Sequence, residues 1–149
     1  MKMLLKTIIL MLGLVMVSAS LAQTVVTSSK KLSYDIDGNS LIDQNDTMMV
    51  IRYLFQFSGS SIIANVVFSS DAIRTSPESI TAHLNSLRAV GAFDIDGDGV
   101  SDALSDGIIL NRYYLGFRRI KIVGDGVVNP VGLRTTDQDI IRYIRRWDF

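Results

Sequence analysis

Two stretches of the chain concentrate oxygen-bearing side chains at alternating positions. The first is Asp35-Ile36-Asp37-Gly38-Asn39-Ser40-Leu41-Ile42-Asp43-Gln44-Asn45-Asp46. The second is Asp94-Ile95-Asp96-Gly97-Asp98-Gly99-Val100-Ser101-Asp102-Ala103-Leu104-Ser105-Asp106. Such a set suits a hard cation, since calcium takes six to eight oxygens at about 2.3–2.6 Å in a forgiving geometry. Oxygens at loop positions 1, 3 and 5 converge if the backbone coils tightly: Asp35, Asp37 and Asn39 in one loop, Asp94, Asp96 and Asp98 in the other. Position 7 supplies a backbone carbonyl, which leaves its side chain free to be apolar, as Leu41 and Val100 are. Position 9 holds Asp43 and Asp102.

The closing acid differs between the loops. Asp46 stands at position 12, whereas position 12 of the second loop is Ser105 and Asp106 falls at 13. Either the position-9 carboxylate or the later Asp could complete each shell. Neither loop has the bidentate Glu that usually ends a calcium loop of this length. A shorter acid suggests a weaker site, with a Kd of about 10⁻⁴–10⁻³ M, adequate outside the cell. The second loop has Asp98 where the first has Asn39, and Gly99 at the turn where the first has Ser40. It is therefore expected to bind more tightly. Asp-Gly segments also make plain turns, but two such loops at repeat spacing favour a metal, and five carboxylates in one loop would repel each other without one. Two calcium ions are expected.

The elements that would position these loops repeat as well. Tyr34-Asp35-Ile36-Asp37-Gly38-Asn39 returns as Phe93-Asp94-Ile95-Asp96-Gly97-Asp98, and Ile51-Arg52-Tyr53-Leu54 as Asn111-Arg112-Tyr113-Tyr114. Ile73-Arg74-Thr75 returns as Leu133-Arg134-Thr135, and Ile80, Leu84 and Leu87 as Ile140, Ile144 and Trp147. The offset is 59 at the loops and 60 afterwards, so the second copy has one extra residue just past its loop. The pattern predicts a mainly α fold of two loop-helix-connector-helix repeats, residues 33–90 and 91–149. The first helices are expected near Asp46–Phe57 and Ser105–Phe117, with apolar positions giving a core face. Partly β-prone connectors follow, Ser58–Ile73 and Arg118–Leu133. The second helices are expected to start at Ser76, with Pro77 at the first helical position, and at Thr136 with Asp139 three residues on.

Residues 1–22 combine Lys2 and Lys6, an apolar run from Ile8 to Val17 and small residues ending at Ala22, which reads as a secretory signal peptide. Residues 23–32 would then be a linker, and the protein secreted or periplasmic, with no membrane attachment after cleavage. Loss of residues 1–22 removes two lysines and no acids, leaving 13 basic and 15 acidic side chains, net −2. That balance gives no case for nucleic acid. The lack of Cys excludes disulfides and thiolate zinc sites. With one histidine, His83, and no nucleophile context, an enzyme is not expected. His83 reads as an interfacial side chain and Trp147 as core. Arg118, Arg119, Arg142, Arg145 and Arg146 read as a solvated basic face.

The Asp spacing, with Ile108-Ile109-Leu110-Asn111-Arg112-Tyr113 after the second loop and Ile51-Arg52-Tyr53-Leu54 after the first, resembles dockerin modules and related EF-hand-like repeats. The resemblance covers about 45 residues in the two loop-helix segments. It implies dockerin-like packing about a pseudo-two-fold axis, calcium-ordered helices and a protein partner of the cohesin type, as in polysaccharide-degrading assemblies. The chain departs from the pattern in the wide separation of its copies, and in Gln44-Asn45 and Ala103-Leu104 where dockerins carry small hydroxyl residues. The alternative is a structural or calcium-buffering secreted protein without a dedicated partner.

Overall fold

The computed structural model describes residues 31–117 and 122–149. The expected signal peptide, most of the expected linker, and Arg118 and Arg119 lie outside the described residues. Among the described residues there are four α-helices: α1 (Gln44–Leu54), α2 (Pro77–Ala89), α3 (Ile108–Tyr114) and α4 (Asp137–Ile144). A π-helical turn, Ala103–Gly107, leads directly into α3, and a short 3₁₀ turn spans Gly59–Ser61. Among the described residues there is no strand, and no helix is long and apolar enough to cross a membrane. The chain is thus mainly α. The β-prone connector pattern around Ile62-Ile63 and Val66-Val67 has no partner strand and runs as turns; Ile62 is buried and Val67 exposed.

Helix starts follow local chemistry. Asp43 caps α1 in a capping box whose return partner is Asp46. Ser76 caps α2 through the Ser79 N–H, with Pro77 at the start. Thr136 caps α4 by accepting the Asp139 N–H at 3.2 Å. Helix ends fall earlier than the apolar pattern suggests. α1 stops at Leu54 because Phe57 N bonds to Arg52 O and Gln56 N to Tyr53 O, each at 2.9 Å, with Gln56 at φ +64°. This is a left-handed helix stop. The equivalent residue after α3 is Gly116, at φ +88°. Phe55, Phe57, Leu115 and Phe117 therefore lie beyond the helices and are half-exposed.

The buried apolar residues of both halves form a single core. α1 packs against α3 and the π turn, and also against α2. Gly107 fits closely against α1: an added Cβ would sit 3.2 Å from Ile51 Cγ1. In each loop the residues alternating with the acids face this core: Tyr34 and Ile36, Phe93 and Ile95, all essentially buried. The Tyr34 and Phe93 rings stack with centroids 6.3 Å apart, which sets the two Asp-rich loops on either side of a shared aromatic contact. Tyr34 also donates its hydroxyl to Ala92 O at 2.5 Å. The chain end returns to the first loop through Tyr34 N to Trp147 O, 3.1 Å. Trp147 lies past α4 and packs partly buried against the core, and His83 Nε2 meets Ser33 O at 2.8 Å from a half-buried position.

Candidate metal centres

Loop one brings Asp35, Asp37 and Asp46 together, each offering a carboxylate oxygen within 4.8 Å of the others. Loop two does the same with Asp94, Asp96 and Asp106. Five of the six are buried, and Asp94 is partly so. The closing acids occupy matching positions. Asp46 Oδ1 accepts the N–H groups of Ile36 at 2.7 Å and Asp37 at 3.2 Å, and its Oδ2 accepts Asp43 N–H at 2.9 Å. Asp106 Oδ1 accepts Ile95 N–H at 2.7 Å and Asp96 N–H at 3.2 Å, and its Oδ2 accepts Asp102 N–H at 3.0 Å.

The extra residue of the second copy makes this equivalence possible rather than preventing it. In loop one Thr47 N bonds back four residues to Asp43 O. In loop two Gly107 N bonds back five residues to Asp102 O at 3.1 Å. The wider π turn absorbs one residue and sets Asp106 where Asp46 sits. Counting along the sequence makes the closing acid look displaced, whereas in space it is not.

The position-9 acids stand outside both clusters. Asp43 accepts Asn45 N–H at 2.7 Å as the cap of α1. Asp102 accepts Leu104 N–H and Ser105 N–H, each at 2.8 Å, and the Ser105 hydroxyl at 2.8 Å. Position 5 lies at the rim, half-buried. Asn39 accepts Leu41 N–H at 2.8 Å, and Asp98 accepts Val100 N–H at 2.7 Å. The side chains of Leu41 and Val100 are exposed, as expected for residues offering only a carbonyl. At position 6 Gly99 has φ +89° and Ser40 has φ +70°. Both loops thus make the same left-handed turn, and in loop one a non-glycine residue carries the strain.

Burial dominates the electrostatics. It pushes Asp46 up to about 7, against the lowering effect of its three N–H donors. Burial likewise pushes Asp106 up to about 7. Asp37 is raised by burial first and then by the charges of Asp35 and Asp43. Asp102 departs the other way: burial works against its charge, but the bonds from Ser105 and Leu104 outweigh it and hold the carboxyl below its usual range. Burial of these carboxylates favours either their protonated form or a neighbouring positive charge. The donor set is entirely oxygen, which suits magnesium, calcium or manganese rather than softer metals. Asp94 Oδ1 is buried without a hydrogen-bond partner, an acceptor that a cation would satisfy.

Two connector features frame the loops. Arg74 and Arg134 reach the loop backbones, and Asn129 reaches the acids of loop two. Asn129 N donates to Asp96 Oδ2 at 2.9 Å, and its amide nitrogen to Asp98 Oδ2 at 2.7 Å. In sequence Asn129-Pro130 reads as a break and the arginines only as repeated residues; the repetition itself is the signal that marks the arginines. No family model, curated protein or solved structure matches the chain.

Proposed function

We propose that this chain is an exported calcium-binding protein with two EF-hand-like sites, built on Asp35, Asp37 and Asp46 and on Asp94, Asp96 and Asp106. Asn39, Asp98 and the carbonyls of Leu41 and Val100 complete the rims, while Asp43 and Asp102 support from the caps, directly or through water. The observation that carries this reading is the recurrence of one three-carboxylate arrangement with the same backbone bonds to its closing acid, despite a one-residue difference in spacing. Buried oxygens in a loop of flexible geometry favour calcium over magnesium, which demands near-ideal octahedral geometry and keeps its waters. A bound ion would supply positive charge to carboxylates that burial otherwise drives toward protonation.

Calcium ordering the helices for a protein partner, in the manner of a dockerin, is the functional class this supports best. Half-exposed Phe55, Phe57, Leu115 and Phe117, in matching places after α1 and α3, favour an interaction module over a calcium buffer. Circular dichroism of the chain with excess calcium and with chelator tests the metal reading. Calcium should raise the melting midpoint, since a ligand bound only by the native state stabilises it. Superimposable melts at millimolar calcium would contradict it. Calcium-dependent retention of a cohesin domain on the immobilised chain separates the partner reading from the buffering alternative.

A further inference from the structure

Each connector ends in a block, Ile73-Arg74-Thr75 or Leu133-Arg134-Thr135, that lies across the back of its loop. Arg74 Nε donates to Ile36 O at 2.6 Å and its Nη2 to Asp35 O at 2.5 Å. Arg134 Nε donates to Ile95 O at 2.6 Å and its Nη2 to Asp94 O. The backbone adds a third tie in each copy: Arg74 N to Asp37 O and Arg134 N to Asp96 O, both 2.8 Å. Three consecutive carbonyls, at loop positions 1 to 3, are thus held by one arginine. The fit is close. A Cβ on Gly38 would lie 2.3 Å from Ile73 Cγ1, and one on Gly97 would lie 2.9 Å from Arg134 Cζ.

The charge matters as much as the geometry. A guanidinium stays protonated in proteins. Burial lowers the Arg74 pKa, while Asp35, Asp37 and Asp46 push it back up. Arg134 Nη2 stands 3.9 Å from Asp94 Oδ1, the acceptor without a hydrogen bond. Its Cζ also lies 4.0 Å from the ring centroid of Tyr143 on α4, so the strap joins loop two to that helix.

We propose that Arg74 and Arg134 are positioning residues for the two cation loops, each fixing the first three loop carbonyls and supplying a permanent counter-charge, so that the loops hold their binding shape before an ion arrives. The proposal rests on the calcium reading for the identity of the ion. Two measurements on the full chain test it. In the first, calcium chloride alone is titrated calorimetrically into metal-stripped Asp106→Asn protein, where loop one is the remaining site. Adding Arg74→Gln should weaken binding by at least about tenfold, as loss of an outer-shell partner does. Binding as tight or tighter would overturn the proposal, since the guanidinium would then be only a competing charge. In the second, amide exchange is followed in chelator. Arg74→Gln should speed exchange of Ile36–Asn39 at least about tenfold and leave Ile95–Asp98 unchanged, because opening is local. Unchanged exchange in loop one would overturn the proposal. If the wild-type chain takes up no calcium, the calcium reading fails while the exchange experiment still decides the strap. Arg74→Lys keeps the charge, loses the fork and should give intermediate losses in both assays; wild-type values in both would overturn the proposal even if Arg74→Gln fails to fold.

Discussion

Replacing Ser40 by glycine removes a strained backbone without touching any packing. Ser40 is exposed and sits at φ +70°, and its backbone N–H donates to Asp35 Oδ2 at 3.1 Å, a bond that glycine keeps. A left-handed conformation disfavours a non-glycine residue by about 1–2 kcal/mol. Glycine's greater freedom in the unfolded chain returns about 0.4–1 kcal/mol of that. The net gain for Ser40→Gly is about 0.5–1 kcal/mol, or a rise of about 1–4 °C in melting midpoint for a chain of this size. Gly99→Ser is the reciprocal change. A Cβ there meets nothing within 4 Å, so only the φ of +89° opposes it, and a loss of similar size follows. Both melts should be run in chelator, because the strain is present in the metal-free loops and its relief goes into stability rather than affinity. If Ser40→Gly is neutral or destabilising while Gly99→Ser costs nothing, the left-handed turn carries no strain and the reasoning fails.

Other outcomes follow from the same contacts. Gly38→Ala should cost more than Gly99→Ser, because its Cβ meets Ile73 Cγ1 at 2.3 Å besides the φ of +79°; urea melts would rank the two. Deleting Leu104, an exposed residue of the π turn, should turn Asp102-Ala103-Ser105-Asp106 into the counterpart of Asp43-Gln44-Asn45-Asp46, leaving the fold and calcium uptake in place; loss of the second site would show that the π turn is itself required. Metal-free stability should fall as pH rises from about 4 to about 7. Asp46 and Asp106, each pushed up to about 7 in the fold, hold protons there that the unfolded chain has lost. The stability they contribute is complete below the unfolded pKa and gone above the folded one. Calcium should cancel that slope, and chelated melts at pH 5 and pH 7.5 compared with calcium-loaded melts would reveal a slope that does not cancel.

The sequence made the helical class, the two Asp loops and the caps of α2 and α4 readable, because each rests on local chemistry: Ser76 and Thr136 sit where a helix needs an acceptor, whereas Asp43, read as a position-9 acid, caps α1. The acids at positions 1 and 3 were legible for the same reason. The closing acid was not. Positions 12 and 13 look different on paper, and only the five-residue bond from Gly107 to Asp102 makes them the same place. The helix ends were overrun because Phe55 and Phe57 continue an apolar pattern past a left-handed stop at Gln56, although Gly116 marks that stop openly in the second copy. Among the described residues the connectors carry β-prone residues without a partner strand. They carry Arg74 and Arg134, whose bonds span 38 to 40 residues and leave no local trace beyond repetition.

Calcium titration of the metal-stripped chain by calorimetry bears most directly on the two-site claim. Two ions should bind per chain, the tighter at loop two, where Asp98 and Gly99 replace Asn39 and Ser40. Asp46→Asn and Asp106→Asn should each abolish one ion and leave the other. No uptake at millimolar calcium, or uptake that survives both substitutions together, would contradict it.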